Sequence, residues 1–202
     1  MKPLAIDLCC GFGGWTEGLL RAGFRVIGFD IVTPSSFPAG AQFVLQDIRT
    51  ICGVRWRGRV ALIVASTPCT EFSQVWNFVK HRTPDPASGV ELVHAAQRIA
   101  REAEAPLVLE NVAGAQRYIG KSVRHVGPYH LLGDVPFLLP RGTFYKGCWN
   151  TDKNAHNERR WHAGGAWRAS SYQRDPARRA LIPPELAGAI ANYYAALFSE
   201  VR

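Results

Sequence analysis

The residues best placed to do chemistry are a cysteine, a glycine turn flanked by acids, and a glutamate. Each stands at the end of an apolar run. Cys69 lies in Thr67-Pro68-Cys69-Thr70-Glu71-Phe72-Ser73, straight after Val60-Ala61-Leu62-Ile63-Val64-Ala65. An apolar run of that length reads as a buried parallel strand. A residue just past its C-terminal end lies where open α/β sheets bind ligands. Pro68 has a fixed φ and stiffens the backbone ahead of the thiol. A thiol held that way can act as a nucleophile. A cysteine after a strand can equally be a small buried hydrophobe, so two further segments decide between the readings.

The first is Asp7-Leu8-Cys9-Cys10-Gly11-Phe12-Gly13-Gly14-Trp15, between the apolar Leu4-Ala5-Ile6 and a helical pattern over Thr16 to Ala22. Strand, glycine turn and helix is the shape of a nucleotide-type cofactor loop, where glycines let the backbone approach a ligand. The spacing Gly-x-Gly-Gly departs from the dinucleotide fingerprint Gly-x-Gly-x-x-Gly. A second strand then ends in an acid, Val26-Ile27-Gly28-Phe29-Asp30. An acid there can accept hydrogen bonds from ribose hydroxyls, or simply cap a turn. The second segment is Pro106-Leu107-Val108-Leu109-Glu110-Asn111-Val112. A carboxyl at the end of a buried strand is a candidate for a raised pKa and for donating a hydrogen bond. A partly solvated carboxylate is the ordinary alternative. All three segments occurring together, in this order, point to one site.

At these residues the chain resembles the cytosine-C5 DNA methyltransferases. Asp7 to Trp15 is similar to that family's Asp-Leu-Phe-x-Gly-x-Gly-Gly-Phe cofactor motif. Thr67 to Ser73 resembles its Pro-Cys-x-x-Phe-Ser nucleophile motif, and Glu110-Asn111-Val112 matches its Glu-Asn-Val motif. Gln46-Asp47-Ile48 resembles a short Gly-Asp-Ile segment that faces the cofactor adenine. The resemblance covers residues 4 to 115 and implies a Rossmann-like methyltransferase. Its α/β sheet would be mostly parallel, with helices on both faces. It implies S-adenosyl-L-methionine as cofactor, duplex DNA as partner and C5 of a flipped-out cytosine as target.

The resemblance assigns roles. Cys69 would add to cytosine C6, and Glu110 would grip the N3 and N4 edge. Asp7, Cys9, Gly11, Phe12, Gly13, Gly14, Trp15, Asp30, Ile31, Asp47, Ile48 and Pro68 would line the cofactor. There are departures. Cys9 replaces an aromatic that stacks on adenine, so Phe12, Trp15 or Ile31 would take over that contact. Thr70 replaces a glutamine. No Gln-x-Arg-x-Arg motif is recognisable; Arg124 is its nearest substitute and a third catalytic candidate, with Arg141 second. The Gly-Asn-Ser-Val segment is missing. A compact member of this kind suggests a phage or other mobile element.

Charge supports a nucleic-acid partner. The chain has 202 residues and a net charge of +8. Nine Lys or Arg and three acids lie between Arg141 and Arg179, which places +6 of the total there. Cations interleaved with aromatics are a nucleic-acid footprint. Ser73, Trp76, Arg82, Asn111, Arg141, Lys146, Arg159, Arg160, Trp161 and Arg168 are therefore the expected DNA contacts. Three parts are expected: residues 1–139 as catalytic domain, 140–180 as a small basic recognition lobe, and 181–202 as a helix packing back. Candidate strands are 4–8, 25–29, 42–45, 60–65 and 107–109, and candidate helices 15–22, 90–104 and 185–199. Gln74 to Ser88 reads as a loop. Tyr129 to Leu139 reads as a hairpin turning at Gly133-Asp134.

Five cysteines, an odd number without a Cys-x-x-Cys pair, argue against a disulfide scaffold or metal site. No stretch is long and apolar enough to cross a membrane, and no signal-peptide pattern opens the chain. A monomer in a prokaryotic or phage-infected cytoplasm is expected. The rival readings are a tRNA cytosine-C5 methyltransferase and a catalytically inactive DNA-binding relative.

Overall fold

The computed structural model describes residues 2–72, 83–137, 139 and 181–200. Its centre is a seven-stranded sheet in the order β3-β2-β1-β4-β5-β7-β6. The strands are β1 (Leu4–Leu8), β2 (Arg25–Asp30), β3 (Gln42–Leu45), β4 (Leu62–Ser66), β5 (Leu107–Asn111), β6 (Arg124–Val126) and β7 (Tyr129–Gly133). The first five run parallel, and β7 is antiparallel to both β5 and β6. β1 and β5 are buried along their whole length, as continuous apolar runs in a two-sided sheet must be.

Four helices are described: α1 (Gly14–Arg21), α2 (Pro86–Ala103), α3 (Gln116–Ile119) and α4 (Pro184–Glu200). Alternation along the strands sorts the core into two layers. Ile6, Leu8, Ile63, Ala65, Leu107 and Leu109 pack with Val93, Ala96 and Ile99 of α2. Ala5, Leu62, Val64, Val108 and Leu131 pack with Trp15 and Leu19 of α1 and with Leu186 and Ile190 of α4.

Several details differ from the sequence expectation, among them β4, which starts at Leu62 and not at residue 60. α2 starts at Pro86, because the Asp85 carboxylate accepts the backbone N–H groups of Ala87 and Ser88 and proline suits the first turn. The end of the expected loop is therefore helical. The hairpin turns at Gly127-Pro128, between β6 and β7, and not at Gly133-Asp134. Asp134 instead locks onto the start of β5: its N–H donates to the Leu107 carbonyl (2.7 Å), and its carboxylate accepts the Leu107 N–H (2.9 Å). On α4, Tyr193 and Leu197 face solvent while Ala187 and Ala191 are buried. Small residues win there because α4 lies tightly on α1. The basic lobe at 140–180 lies outside the described residues.

That tight contact is testable. A Cβ at Gly18 would fall 2.4 Å from the Ala187 Cβ and 2.6 Å from the Gly188 nitrogen. Both helices would have to separate. Gly18→Ala should cost about 1–3 kcal/mol by overpacking, despite the better helix propensity of alanine. The melting temperature should fall by roughly 2–4 °C for each kcal/mol. An unchanged or higher melting temperature would contradict the packing.

Candidate active site

The carboxyl ends of β1, β2, β4 and β5 carry the residues singled out by the sequence. After β1 the chain makes the turn Cys9 to Gly13, with left-handed backbone at Cys9 (φ 57°), Gly11 (φ 50°) and Gly13 (φ 83°). Gly13 is doubly constrained, since a Cβ there would meet Pro38 at 2.5 Å. Gly11 is different: nothing lies within 4 Å of where its Cβ would be. One side of the turn is therefore open. Asp30, ending β2, holds the turn by accepting the N–H of Gly11 on Oδ2 (2.9 Å) and that of Val32 on Oδ1 (3.1 Å). Beyond it Ile31 and Val32 are two-thirds exposed, an apolar pair beside the turn.

Asp7 sits under the turn with no solvent exposure. Its Oδ2 accepts the Thr16 hydroxyl (2.7 Å) and the Thr16 N–H (3.1 Å). Its Oδ1 is buried and has no hydrogen-bond partner among the described residues. Burial pushes the Asp7 carboxyl up to about 7. The Thr16 bonds oppose the shift, and the Asp30 charge adds to it. Burial also pushes the Cys9 and Cys10 thiols up, with Asp7 and Asp30 adding to it, so neither is an activated nucleophile. Asp47 caps a short 3₁₀ turn and is paired with Arg49, which holds its carboxyl below the usual range.

Cys69 opens a 3₁₀ turn just after β4 and is half-buried. Glu110, 3 % exposed, is the register partner of Ser66, the last residue of β4. The Cys69 turn is thus brought beside the carboxyl by one parallel pairing. Phe72 anchors the turn. It is buried, and its ring lies so close to Gly89 that a Cβ there would be at 2.6 Å. Its carbonyl would be 2.3 Å from a Cβ at Gly114. Glu71 accepts the Asp85 N–H (2.8 Å), tying the turn to the start of α2.

Three assigned side chains are buried and bonded or packed within the protein. Asn111, expected on DNA, is fully buried; its amide donates to the carbonyl (3.1 Å) and hydroxyl (3.0 Å) of Thr67, and its Oδ1 accepts the Val112 N–H. It braces the Cys69 turn. Trp15, expected against adenine, is 2 % exposed within the core, and its indole N–H donates to Ser66. The Ile48 side chain is likewise in the core. Arg124 lies on the same sheet face as Glu110 with one strand between them, through the row Glu110, Leu131, Arg124. That is about 10 Å of strand spacing, and its guanidinium donates to the Phe137 carbonyl. Ser73, Trp76, Arg82, Arg141, Lys146, Arg159, Arg160, Trp161 and Arg168 lie outside the described residues. A cleft of about 460 Å³ between α2 and the start of β5 is at the other end of the strand from Glu110 and holds no group of this site.

This arrangement agrees with the family to which the sequence can be matched. The chain belongs to the C-5 cytosine-specific DNA methylase family, whose model matches residues 4–119. The Rossmann-like α/β methyltransferase sheet expected from the sequence is the one observed. Among solved structures, the chain is similar to an E. coli protein titled as a DNA modification methyltransferase encoded within a prophage. That likeness has 24 % identity and a TM-score of 0.44, over 56 % of this chain and 33 % of that one. It is also similar to the S. pombe Dnmt2 methyltransferase, with 16 % identity and a TM-score of 0.40, over 57 % and 35 %. The magnesium protoporphyrin IX methyltransferase of Synechocystis gives 16 % identity and a TM-score of 0.40, over 65 % and 69 %. The chain spans about a third of the length of the first two. No curated protein sequence matches it.

Asp7 gives the site a pH signature. Its folded pKa of about 7 lies above its ordinary value of 3.8. Between those values the folded state binds more protons than the unfolded one, so this group makes stability fall as pH rises. The contribution levels off above about 7. Asp7→Asn should remove that slope and gain up to about 4 kcal/mol on wild type between pH 4 and 8. Denaturant unfolding of both proteins across that range checks this; parallel pH dependences would refute it.

Proposed function

We propose that the protein transfers a methyl group from S-adenosyl-L-methionine to C5 of cytosine in duplex DNA, at a short recognition sequence. The observation that carries this reading is the pairing of Ser66 with Glu110, which sets the Cys69 turn and the carboxyl side by side above adjacent strands.

The glycine-turn end fits the methyl donor. That donor bears a sulfonium and an ammonium, and the turn gathers Asp7, Asp30 and Asp47 within a chain of net charge +8. The buried Asp7 Oδ1 lacks a partner among the described residues, and Gly11 leaves an open side. Asp30 would hold the ribose, because each of its oxygens keeps a second lone pair after accepting its N–H. Ile31 offers apolar surface for the adenine.

Cytosine C5 is a poor nucleophile. The Cys69 thiolate adds to C6, forming a sulfur–carbon bond and pushing the C5–C6 electron pair toward C5. Glu110 binds the N3 and N4 edge and offsets the charge that develops on the ring. When bound, S-adenosyl-L-methionine supplies an electrophilic methyl group for C5 to attack. Loss of the C5 proton then re-forms the C5–C6 double bond, with the Cys69 thiolate as leaving group. A base within a duplex must leave the stack to reach these groups.

Arg124 is retained as a candidate for the missing arginine motif, on the face that Glu110 shares. Residues 140–180 supply most of the net positive charge, which suits phosphate contacts and strong salt dependence. About 40 positions leave room for few base contacts, each worth roughly 1–3 kcal/mol of discrimination. The site should therefore span about two to four base pairs, a length inferred from that lobe's capacity for readout.

The test offers tritiated S-adenosyl-L-methionine with duplex DNA, tRNA and dCMP in parallel. Label should enter duplex DNA. Cys69→Ser should abolish transfer while leaving DNA binding. Glu110→Gln should cost on the order of 10²-fold in kcat, with cofactor affinity unchanged. Asp30→Ala should weaken cofactor binding by about 1.5–3 kcal/mol. Label in tRNA alone would move the substrate class, and turnover by Cys69→Ser would remove the nucleophile.

A further inference from the structure

We propose that Ser66 and Trp15 are positioning residues that fix both the orientation and the protonation geometry of the Glu110 carboxyl. This rests on reading Glu110 as the group that grips the base. The Trp15 indole N–H lies 2.9 Å from the Ser66 Oγ, and that Oγ lies 3.2 Å from the Glu110 Oε2. Trp15 and Glu110 are 2 % and 3 % exposed, so little water competes for these bonds.

Chemistry sets the direction at the Trp15 end of the chain. An indole N–H can only donate. Ser66 must accept it, which leaves the serine's own proton to be donated to the Glu110 carboxylate. Oε2 is therefore the accepting oxygen of the carboxyl. A proton carried by Glu110 for the base is thereby directed to Oε1. The carboxyl cannot rotate about its terminal torsion without breaking the bond. The backbone adds its own constraint, because Ser66 and Glu110 are register partners with side chains on the same sheet face. At the other end, Trp15 follows Gly13-Gly14 in the first turn of α1. One hydrogen-bond chain thus joins the cofactor turn to the base-gripping group. Neither Ser66 nor Trp15 need touch either ligand for this role.

Two readouts test the relay, one of them independent of turnover. Ser66→Ala should lower kcat about 10- to 100-fold, as for a lost hydrogen bond to a charged group, with the KM for the methyl donor unchanged. The limb of its rate–pH profile that belongs to Glu110 should move to higher pH, because a donated hydrogen bond favours the charged carboxylate. Ser66→Thr keeps the hydroxyl and should restore both the rate and the profile. Trp15→Phe keeps the packing but releases the hydroxyl, and should fall between. In nitrogen-15 NMR spectra the Trp15 indole signal, assigned from Trp15→Phe, should shift as Glu110 titrates. That shift should vanish in Ser66→Ala and Glu110→Gln. A wild type that shows this coupled titration but no methyl transfer supports the relay and overturns the reaction. Wild-type kcat and an unshifted profile in Ser66→Ala overturn the relay, as does an indole signal indifferent to Glu110→Gln.

Discussion

Asn111 joins the ends of β4 and β5, and the rest of the site hangs on that join. Its amide nitrogen spends both donors on Thr67, and its oxygen takes the Val112 N–H. Each bond contributes only about 1 kcal/mol net. The asymmetry is what matters: removing the amide would leave buried groups unpaired, at about 1–3 kcal/mol apiece. The turn that carries Cys69 is therefore held from the side as well as by the strand behind it. Phe72 clamps the same turn from below, between Gly89 and Gly114, where no larger residue fits without a shift. The tie from Glu71 to the Asp85 N–H closes the third side. A half-exposed thiol on so constrained a turn has little freedom to sample other geometries. Pre-organisation of that kind is what covalent catalysis requires.

Charge is divided unevenly along the chain. The cofactor end is locally acidic: Asp7, Asp30 and Asp47 all act on Cys9. The chain as a whole is basic. Asp7 carries the cost of this division, as a carboxyl kept wholly out of water. The neighbouring thiols share that burial and are driven toward the neutral form. Cys69 stands outside the turn and is half-buried.

Five strands were legible from the apolar runs, although β4 starts two residues later than the run from Val60 and ends on Ser66, and β6 was not foreseen. β1 and β3 begin and end where the pattern predicts, and β5 only gains its polar end, Glu110-Asn111. Cys69, Glu110, the glycine turn and Asp30 converge as their positions at strand ends require. What escaped the sequence is the use made of polar atoms at those ends. Asn111 beside Glu110 reads as a ligand contact, because nothing in one dimension reveals that Thr67 lies across from it. Trp15 follows a glycine turn and reads as a cofactor aromatic; its indole instead turns inward, because Ser66 offers the acceptor that a buried N–H needs. The hairpin turn was misplaced because Gly133-Asp134 carries a stronger local turn signal than Gly127-Pro128, while the long-range bonds of Asp134 to Leu107 decide the matter.

The central claim is that Cys69 forms a covalent bond to cytosine C6. It is tested most directly with duplex DNA in which 5-fluorocytosine replaces the target base, in the presence of S-adenosyl-L-methionine. Fluorine at C5 cannot leave as a proton, so the final elimination is blocked and the adduct persists. Denaturing electrophoresis should show a stable protein–DNA band. Mass spectrometry of the digested adduct should place the DNA on the peptide containing Cys69. The absence of any adduct, or an adduct on Cys9, Cys10, Cys52 or Cys148, would contradict the account.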